Sequence, residues 1–357
     1  MSTISTLTAP VARMRWLEPR IGLTLVALFI LLLVLVVMGI QSGPVALTWQ
    51  QVWQTLLDPA AATVQERVVV WELRLPRLVL GMLVGSALAV SGAALQGLFR
   101  NPLADPGLLG VASGAALGAV ACIVLAGSVL APLHDALGRH ALPVMAFAGG
   151  AIATLLAWQV ARQSGVTSIA TLLLAGIAIN TIAGAATGVL TFLASDTELR
   201  SLTFWTMGSL AFANWQDVKI VALWILSGTA LMLPLAKPLN ALLLGEQVAG
   251  HLGYRVEQIK IALVLLSALV VGASVAMAGP IGFVGLLVPH LIRTVVGANH
   301  QWLLPLSALS GALLVVLADT LCRTLLAPAE LPIGLVMALI GGPFFLLLLR
   351  KTLYGHG

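Results

Sequence analysis

Charge is scarce in this chain. Only 9% of its 357 residues are Asp, Glu, Lys or Arg, where an ordinary soluble domain carries about a quarter. With 60% hydrophobic residues and a mean hydropathy of +1.06, a water-soluble globular fold is excluded and a polytopic membrane protein is indicated. Cysteine is almost missing: Cys122 and Cys322 lie far apart in or beside apolar runs, so they form neither a disulfide framework nor a metal site and read as small buried residues. The pattern G-x-x-x-x-G-K-[ST] is absent, so nothing here cradles nucleotide phosphates in the manner of a P-loop. No metal-ligand spacing and no nucleophile–base pair stands out, which argues against chemistry by the chain itself. The net charge of +5 comes from basic residues scattered between apolar spans, a pattern of membrane orientation and not of nucleic-acid binding.

What is present is a series of apolar runs. At 1.5 Å rise per residue, about 20 residues cross a hydrocarbon core roughly 30 Å thick. Ten such spans are expected, at 21–40, 78–99, 108–130, 142–160, 169–192, 218–235, 259–278, 281–296, 302–318 and 332–349. The first follows Arg13, Arg15 and Arg20 but has no small-x-small cleavage site, so it reads as a retained span. An even number places both termini on one side, and Arg350 and Lys351 agree with the amino-terminal arginines that this side is the cytoplasm. On that placement eleven Lys or Arg face four acids inside, and seven face nine outside. The chain is thus expected to be one transmembrane domain over 1–357, with an inner segment 1–20, ten spans within 21–349 and a long inner segment at 236–258.

The segments between spans carry their own patterns. Residues 41–77 hold Trp49, Trp53 and Trp71, whose rings suit a membrane interface. Residues 193–217 are expected to form a short helix over the outer span ends, and 131–141 a smaller outer loop. In 236–258, Leu239, Leu242 and Leu243 and then Val248 and Leu252 have helical spacing without the length to span, predicting two short helices broken at Gly253. SALAVSG at 86–92 followed by PGLLG at 106–110 can be set against ASVAMAG at 273–279 followed by IGFVG at 281–285. One copy begins outside and the other inside, as in an inverted repeat. Spacings Gly81–Gly85, Gly110–Gly114–Gly118 and Gly184–Gly188 mark expected close helix contacts.

Arginine at the outer ends of spans runs against the orientation rule, and Arg74, Arg77 and Arg323 all stand there. A carboxylate would offset each, either from a partner protein or from Glu72, Asp319 or Glu330 of the same chain; snorkelling to lipid headgroups is the third alternative. In the fifth span the polar members are Asn180, Thr181 and Thr187. They can line a smooth, weakly polar passage or hydrogen-bond between packed helices. The histidines, among them His134, His140, His251, His290 and His300, form no pair at ligand spacing, and His290 after Pro289 reads as structural. Spans nearly free of acidic residues argue against an ion-coupled secondary transporter.

The runs RLPR at 74–77 and SGAALQGLFRNPLADPGLLG at 91–110, with GSL, LGEQVAGHLG, GPIGFVGLLVPHLIR and ELPIG further along, resemble the FecCD permeases. These are the membrane subunits of iron-siderophore, haem and cobalamin ABC importers. The resemblance implies an all-α polytopic fold like that of the cobalamin-importer permease, in a bacterial inner membrane and surrounded by lipid. It implies a homodimer with two ATPase subunits, which bind ATP and Mg, and a periplasmic substrate-binding protein; this chain itself would bind no cofactor. Arg74, Arg77 and Arg323, the last within A-D-x-x-x-R, match positions that receive acidic residues of the binding protein. Gly245, Glu246, Ala249, His251, Leu252 and Gly253 match the surface gripped by the ATPase, and the fifth span, with Asn180, Thr181 and Thr187, the passage between two permease copies. ELRSLTFWTMGSL at 198–210 looks most like haem-importing members, so haem is the expected cargo and another iron chelate or cobalamin the alternative.

Overall fold

A computed structural model of the chain describes residues 9–163 and 165–354. Residues 1–8 of the expected inner amino-terminal segment lie outside the described residues, as do the side chains of Arg13, Arg15, Arg20 and Lys351.

The chain is helical almost throughout. In order, α1 is Ala9–Gln41, α2 Trp49–Leu57, α3 Val64–Arg67, α4 Leu75–Leu98, α5 Val111–Leu125, α6 Ala131–Leu137, α7 Ala141–Ala161 and α8 Ile169–Leu193. Then come α9 Asp196–Thr206, α10 Trp215–Met232, α11 Ala236–Leu243, α12 Glu246–His251, α13 Val256–Ala278, α14 Val284–Val296, α15 His300–Thr324 and α16 Ile333–Tyr354. A π-helical segment, Val68–Arg74, joins α3 to α4 without a break. A two-stranded hairpin, β1 Arg162–Gln163 with β2 Val166–Thr167, joins α7 to α8. Among the described residues, seven helices are long and apolar enough to cross a membrane, and three shorter apolar ones, Val111–Leu125, Val284–Val296 and Ile333–Leu348, complete the ten positions expected.

Helix α4 is the axis of the bundle, buried along nearly its whole length. It packs on α10, α13, α14 and α15, and the approach is backbone to backbone. A Cβ placed on Gly85 would lie 2.1 Å from the Gly311 carbonyl oxygen, and one on Gly92 would lie 1.9 Å from that of Gly285. Lipid gives helices no hydrophobic reason to associate, so contact area through small residues takes that role. Gly114 and Gly118 bring α5 against α7 in the same way. At Gly184 and Gly188 a Cβ would meet nothing of this chain within 4 Å, because both lie on the uncovered face of α8.

The two stretches paired in the sequence share a plan. Each is a long buried helix (α4, α13), then a linker, which after α4 includes a 3-10 turn at Pro106–Leu109, then a short helix entered through a left-handed residue, Gly110 at φ 85° and Phe283 at φ 67°. The linker after α4 touches the first turn of α14, where a Cβ on Gly285 would be 2.9 Å from Pro106 Cδ.

The connecting segments are more ordered than their composition suggests. Thr48 with Gln51, Thr63 with Glu66 and Ser195 with Glu198 form capping boxes that start α2, α3 and α9. The expected short helix in 193–217 is α9, and the expected loop 131–141 is largely helical as α6 and a 3-10 turn, Gly138–His140. Segment 236–258 does hold two short helices, but they part at Leu244 and Gly245, where φ is +119°; Gly253, at φ +88°, ends the second one. Both glycines suit a positive φ, so sequence position alone did not tell one break from the other.

Candidate functional site

At the expected outer end, Arg74 closes the π-helical segment, Arg77 lies in the first turn of α4, and Asp319 and Arg323 lie one turn apart at the end of α15. The three arginines and Asp319 are all buried. Arg77 Nε and Nη2 both lie 2.9 Å from Asp319 Oδ1, and Arg77 Nη1 donates to Glu330 Oε2 at 2.8 Å. Arg323 Nε stands 3.1 Å from Asp319 Oδ2, so one carboxylate sits between two guanidinium groups. The remaining donors turn to the end of α1. Arg74 Nη1 donates to the carbonyls of Ile40 at 2.6 Å and Gln41 at 3.1 Å, and Nη2 to that of Val45. Arg323 Nη1 donates to Gly39 and Ser42, each at 3.1 Å.

These bonds make the cluster a staple between α1, α4 and α15. Helix ends leave carbonyls unsatisfied, and guanidinium forks at the end of α1 supply the missing donors. Asp319 serves Arg77 and Arg323, and Glu330 serves Arg77; among the described residues Arg74 is held by carbonyls alone, and Glu72 has no ion pair with the three arginines. The set carries three positive and two negative charges, and it borders a cavity of about 320 Å³ lined in part by Arg74, Arg77, Arg323 and Glu330. Arg323 Nη2, although buried, has no hydrogen-bond acceptor among the described residues.

At the opposite end, α11 and α12 cap the bundle. Gly253, His251, Leu252 and Val248 are exposed, Gly245 and Glu246 are half-buried, and Ala249 is packed into the core. Leu243, Leu244, Val248 and Leu252 form an uncovered apolar stretch on this segment. Glu246 is not free to meet a partner, since its Oε2 accepts a bond from Lys260 Nζ at 2.6 Å. Lys260 was passed over in the sequence, yet a lysine between Ile259 and Ile261, three residues after Glu257, was a visible signal of a buried pair. Asn240 Oδ1 accepts from the His300 main-chain N–H at 2.8 Å, fixing α11 to the start of α15.

In α8 the polar residues separate into different roles. Asn180 Nδ2 donates to the Gly107 carbonyl at 3.2 Å, and its Oδ1 accepts from Ser113, so Asn180 bonds α8 to the linker before α5. Thr181 bonds back to Ile177 of its own helix at 3.0 Å. Thr187 is half-buried, and its carbonyl accepts from Thr191 Oγ1. The rest of the face is uncovered and apolar, with Leu174, Ile177, Ile182, Val189 and Phe192 all exposed. In the linker, Asp105 accepts from the Gly107 N–H at 2.7 Å, and burial raises its carboxyl above the usual range against that bond. Among the described residues no group of three His, Cys, Asp or Glu is placed to hold a metal ion, and Cys122 and Cys322 are buried free thiols.

The model of the FecCD transport family matches residues 31–351. The hemin transport system permease protein HmuU of Yersinia pestis is 47% identical over 335 residues, covering 94% of this chain and 96% of the relative. The cobalamin import system permease protein BtuC of Halobacterium salinarum is 45% identical over 304 residues, 84% of this chain and 79% of the relative. The Fe(3+)-citrate import system permease protein YfmD of Bacillus subtilis is 40% identical over 287 residues, 80% and 83% of the two chains. A solved structure described as an inward-facing, metal-chelate type ABC transporter superposes with a TM-score of 0.79 at 33% identity, covering 92% of this chain and 98% of that one.

Removing one member of a buried ion group strands the others. Asp319→Asn should destabilise the protein by about 3–5 kcal/mol, because Arg77 and Arg323 lose the anion they share. Thermal unfolding in detergent measures it, and an unchanged midpoint would show that the arginines do not depend on Asp319.

Proposed function

The chain belongs to the FecCD transport family and is a permease subunit of an ABC importer, a multi-pass membrane protein, and from this premise we propose that its cargo is haem. The observation that carries the proposal is the 47% identity, over 94% of the chain, to a permease named for hemin transport. A ferric chelate or cobalamin is the second reading, supported by the relatives named for those cargoes. In this reading the chain works in a bacterial inner membrane with both termini in the cytoplasm. Two copies pair across their α8 helices, whose uncovered apolar faces support such a contact. Two ATPase subunits, holding ATP and Mg, grip α11 and α12 at the exposed Val248, His251 and Leu252.

A periplasmic binding protein docks at the arginine cluster. Arg74, Arg77 and Arg323 are already bonded within the chain, so docking is an exchange and not a first encounter with charge. An acidic residue of the binding protein enters the cavity, meets Arg323 Nη2, and replaces Glu330 on Arg77. Glu330 is the group suited to leave, because its side chain is 33% exposed whereas that of Asp319 is 2% exposed. Nucleotide binding then shifts the population between outward- and inward-open forms to the extent that the ATPase dimer favours one of them.

Two measurements test this reading. The partner binding protein, titrated with haem, a ferric siderophore and cobalamin, should bind haem and support ATP-dependent, ionophore-insensitive haem uptake into vesicles; failure to bind haem would end the assignment of cargo. Glu330→Gln should let the binding protein stimulate the ATPase at a concentration about threefold to tenfold lower, since an interfacial charge pair gains a free donor. An unchanged or higher half-saturating concentration would place docking elsewhere.

A further inference from the structure

Helix α12 is tied to the bundle by a side chain as well as by its covalent ends. Lys260, in the first turns of α13, is 2% exposed. An ammonium group has three hydrogens to donate, and here each has an acceptor: Glu246 Oε2 at 2.6 Å, Glu257 Oε1 at 2.9 Å and the Thr167 carbonyl oxygen at 2.9 Å. Glu257 Oε2 in turn accepts from the Thr167 N–H at 2.8 Å. Thr167 is therefore held at both of its main-chain polar groups. It is the last residue of β2, and the next residue, Ser168, starts α8 by accepting from the Thr171 N–H at 3.3 Å.

The two halves of this network are unequal. Glu257, Lys260 and Thr167 share three bonds and bind the start of α13 to the foot of α8. Glu246 contributes one bond, and it is the ionic contact between α12 and that unit. A buried ammonium cannot give up a partner cheaply, since desolvation makes an unpaired charge costly, and charge-assisted bonds of this length are among the stronger ones. When α12 is displaced, the lower-energy response is for Lys260 and the hairpin to follow. At mid-length α8 is held by Asn180 to the Gly107 carbonyl, so movement at its foot becomes a tilt about that attachment.

We infer that Lys260 is a positioning residue for transport, passing displacement of α12 to the foot of α8 through Glu246 on one side and Thr167 on the other. The inference rests on the reading of α11 and α12 as the surface gripped by the ATPase.

The test uses the whole complex of permease, ATPase subunits and binding protein in lipid nanodiscs and vesicles. Hydrogen–deuterium exchange, with and without a non-hydrolysable ATP analogue, should change in peptides covering 244–254 and, together with them, in peptides covering 165–172. A response in 244–254 with none in 165–172 overturns the role of Lys260 while leaving the ATPase contact intact. No response in either overturns that contact and this inference with it. In parallel, Lys260→Met should lower haem taken up per ATP hydrolysed by about tenfold, within the usual range of site-to-site coupling, and Lys260→Arg, whose planar fork can bridge the same acceptors, should restore it. Wild-type uptake per ATP in Lys260→Met would contradict the inference. Should that variant not assemble, the exchange experiment on the unmodified complex decides.

Discussion

Backbone contact between α4 and its neighbours is the constraint on which the rest of the structure depends. Gly85 rests on Gly311 and Gly92 on Gly285 at separations that admit no side chain. In lipid, apolar side chains gain little by turning inward, so close packing must bring helices together. Once α4 is seated between α13, α14 and α15, both ends of the molecule are positioned. Its first turn carries Arg77 to Asp319 and Glu330, and its last turn leads into the linker whose Gly107 holds Asn180 of α8.

The charged groups at the two ends follow one logic. Each is largely withdrawn from water and bonded mainly inside the chain, yet each retains one partner near the surface. Glu330 is that partner at the arginine cluster and Glu246 at Lys260, with side chains 33% and 36% exposed. A buried ion group of this kind contributes less to net stability than it does to fixing which elements meet. At the arginine cluster the surface carboxylate is the member that an incoming protein can reach, whereas Glu246 stays bonded to Lys260 and ties α12 to the bundle.

Much of this was legible in the sequence, and the part that was not has a physical reason. Long apolar runs announce themselves by length and by lack of charge, so the seven long helices could be read, while the helices at Val111–Leu125, Val284–Val296 and Ile333–Leu348 are shorter than the spans expected there or too short to be identified by length. Residues 236–258 were visible as a surface segment because their leucines have helical spacing over too short a run to cross a bilayer. Partners remote in the chain were not visible: Asp319 is 242 residues from Arg77, and the choice between it and an acidic residue of another protein depends on folding. Asn180 likewise fitted a passage wall or a helix contact, and only the position of the Gly107 linker shows that its amide is used between helices. The carbonyls at the end of α1, which hold Arg74 and Arg323, have no residue-type signature, since any sequence supplies them. Gly184 and Gly188 repeat the spacing of Gly81 and Gly85, yet they lie on a face uncovered within the chain, because spacing does not say which side of a helix is packed by its own bundle.

The account therefore stands on α4 being seated by glycine. Gly92→Ala puts a methyl group where the Gly285 carbonyl oxygen now lies, 1.9 Å from the ideal Cβ position. Thermal unfolding of the purified permease should show a loss of stability of about 1–3 kcal/mol or more, the usual cost of overpacking a dense interior, whereas a midpoint equal to that of the unaltered protein would contradict the close approach of α4 and α14 and the architecture built upon it.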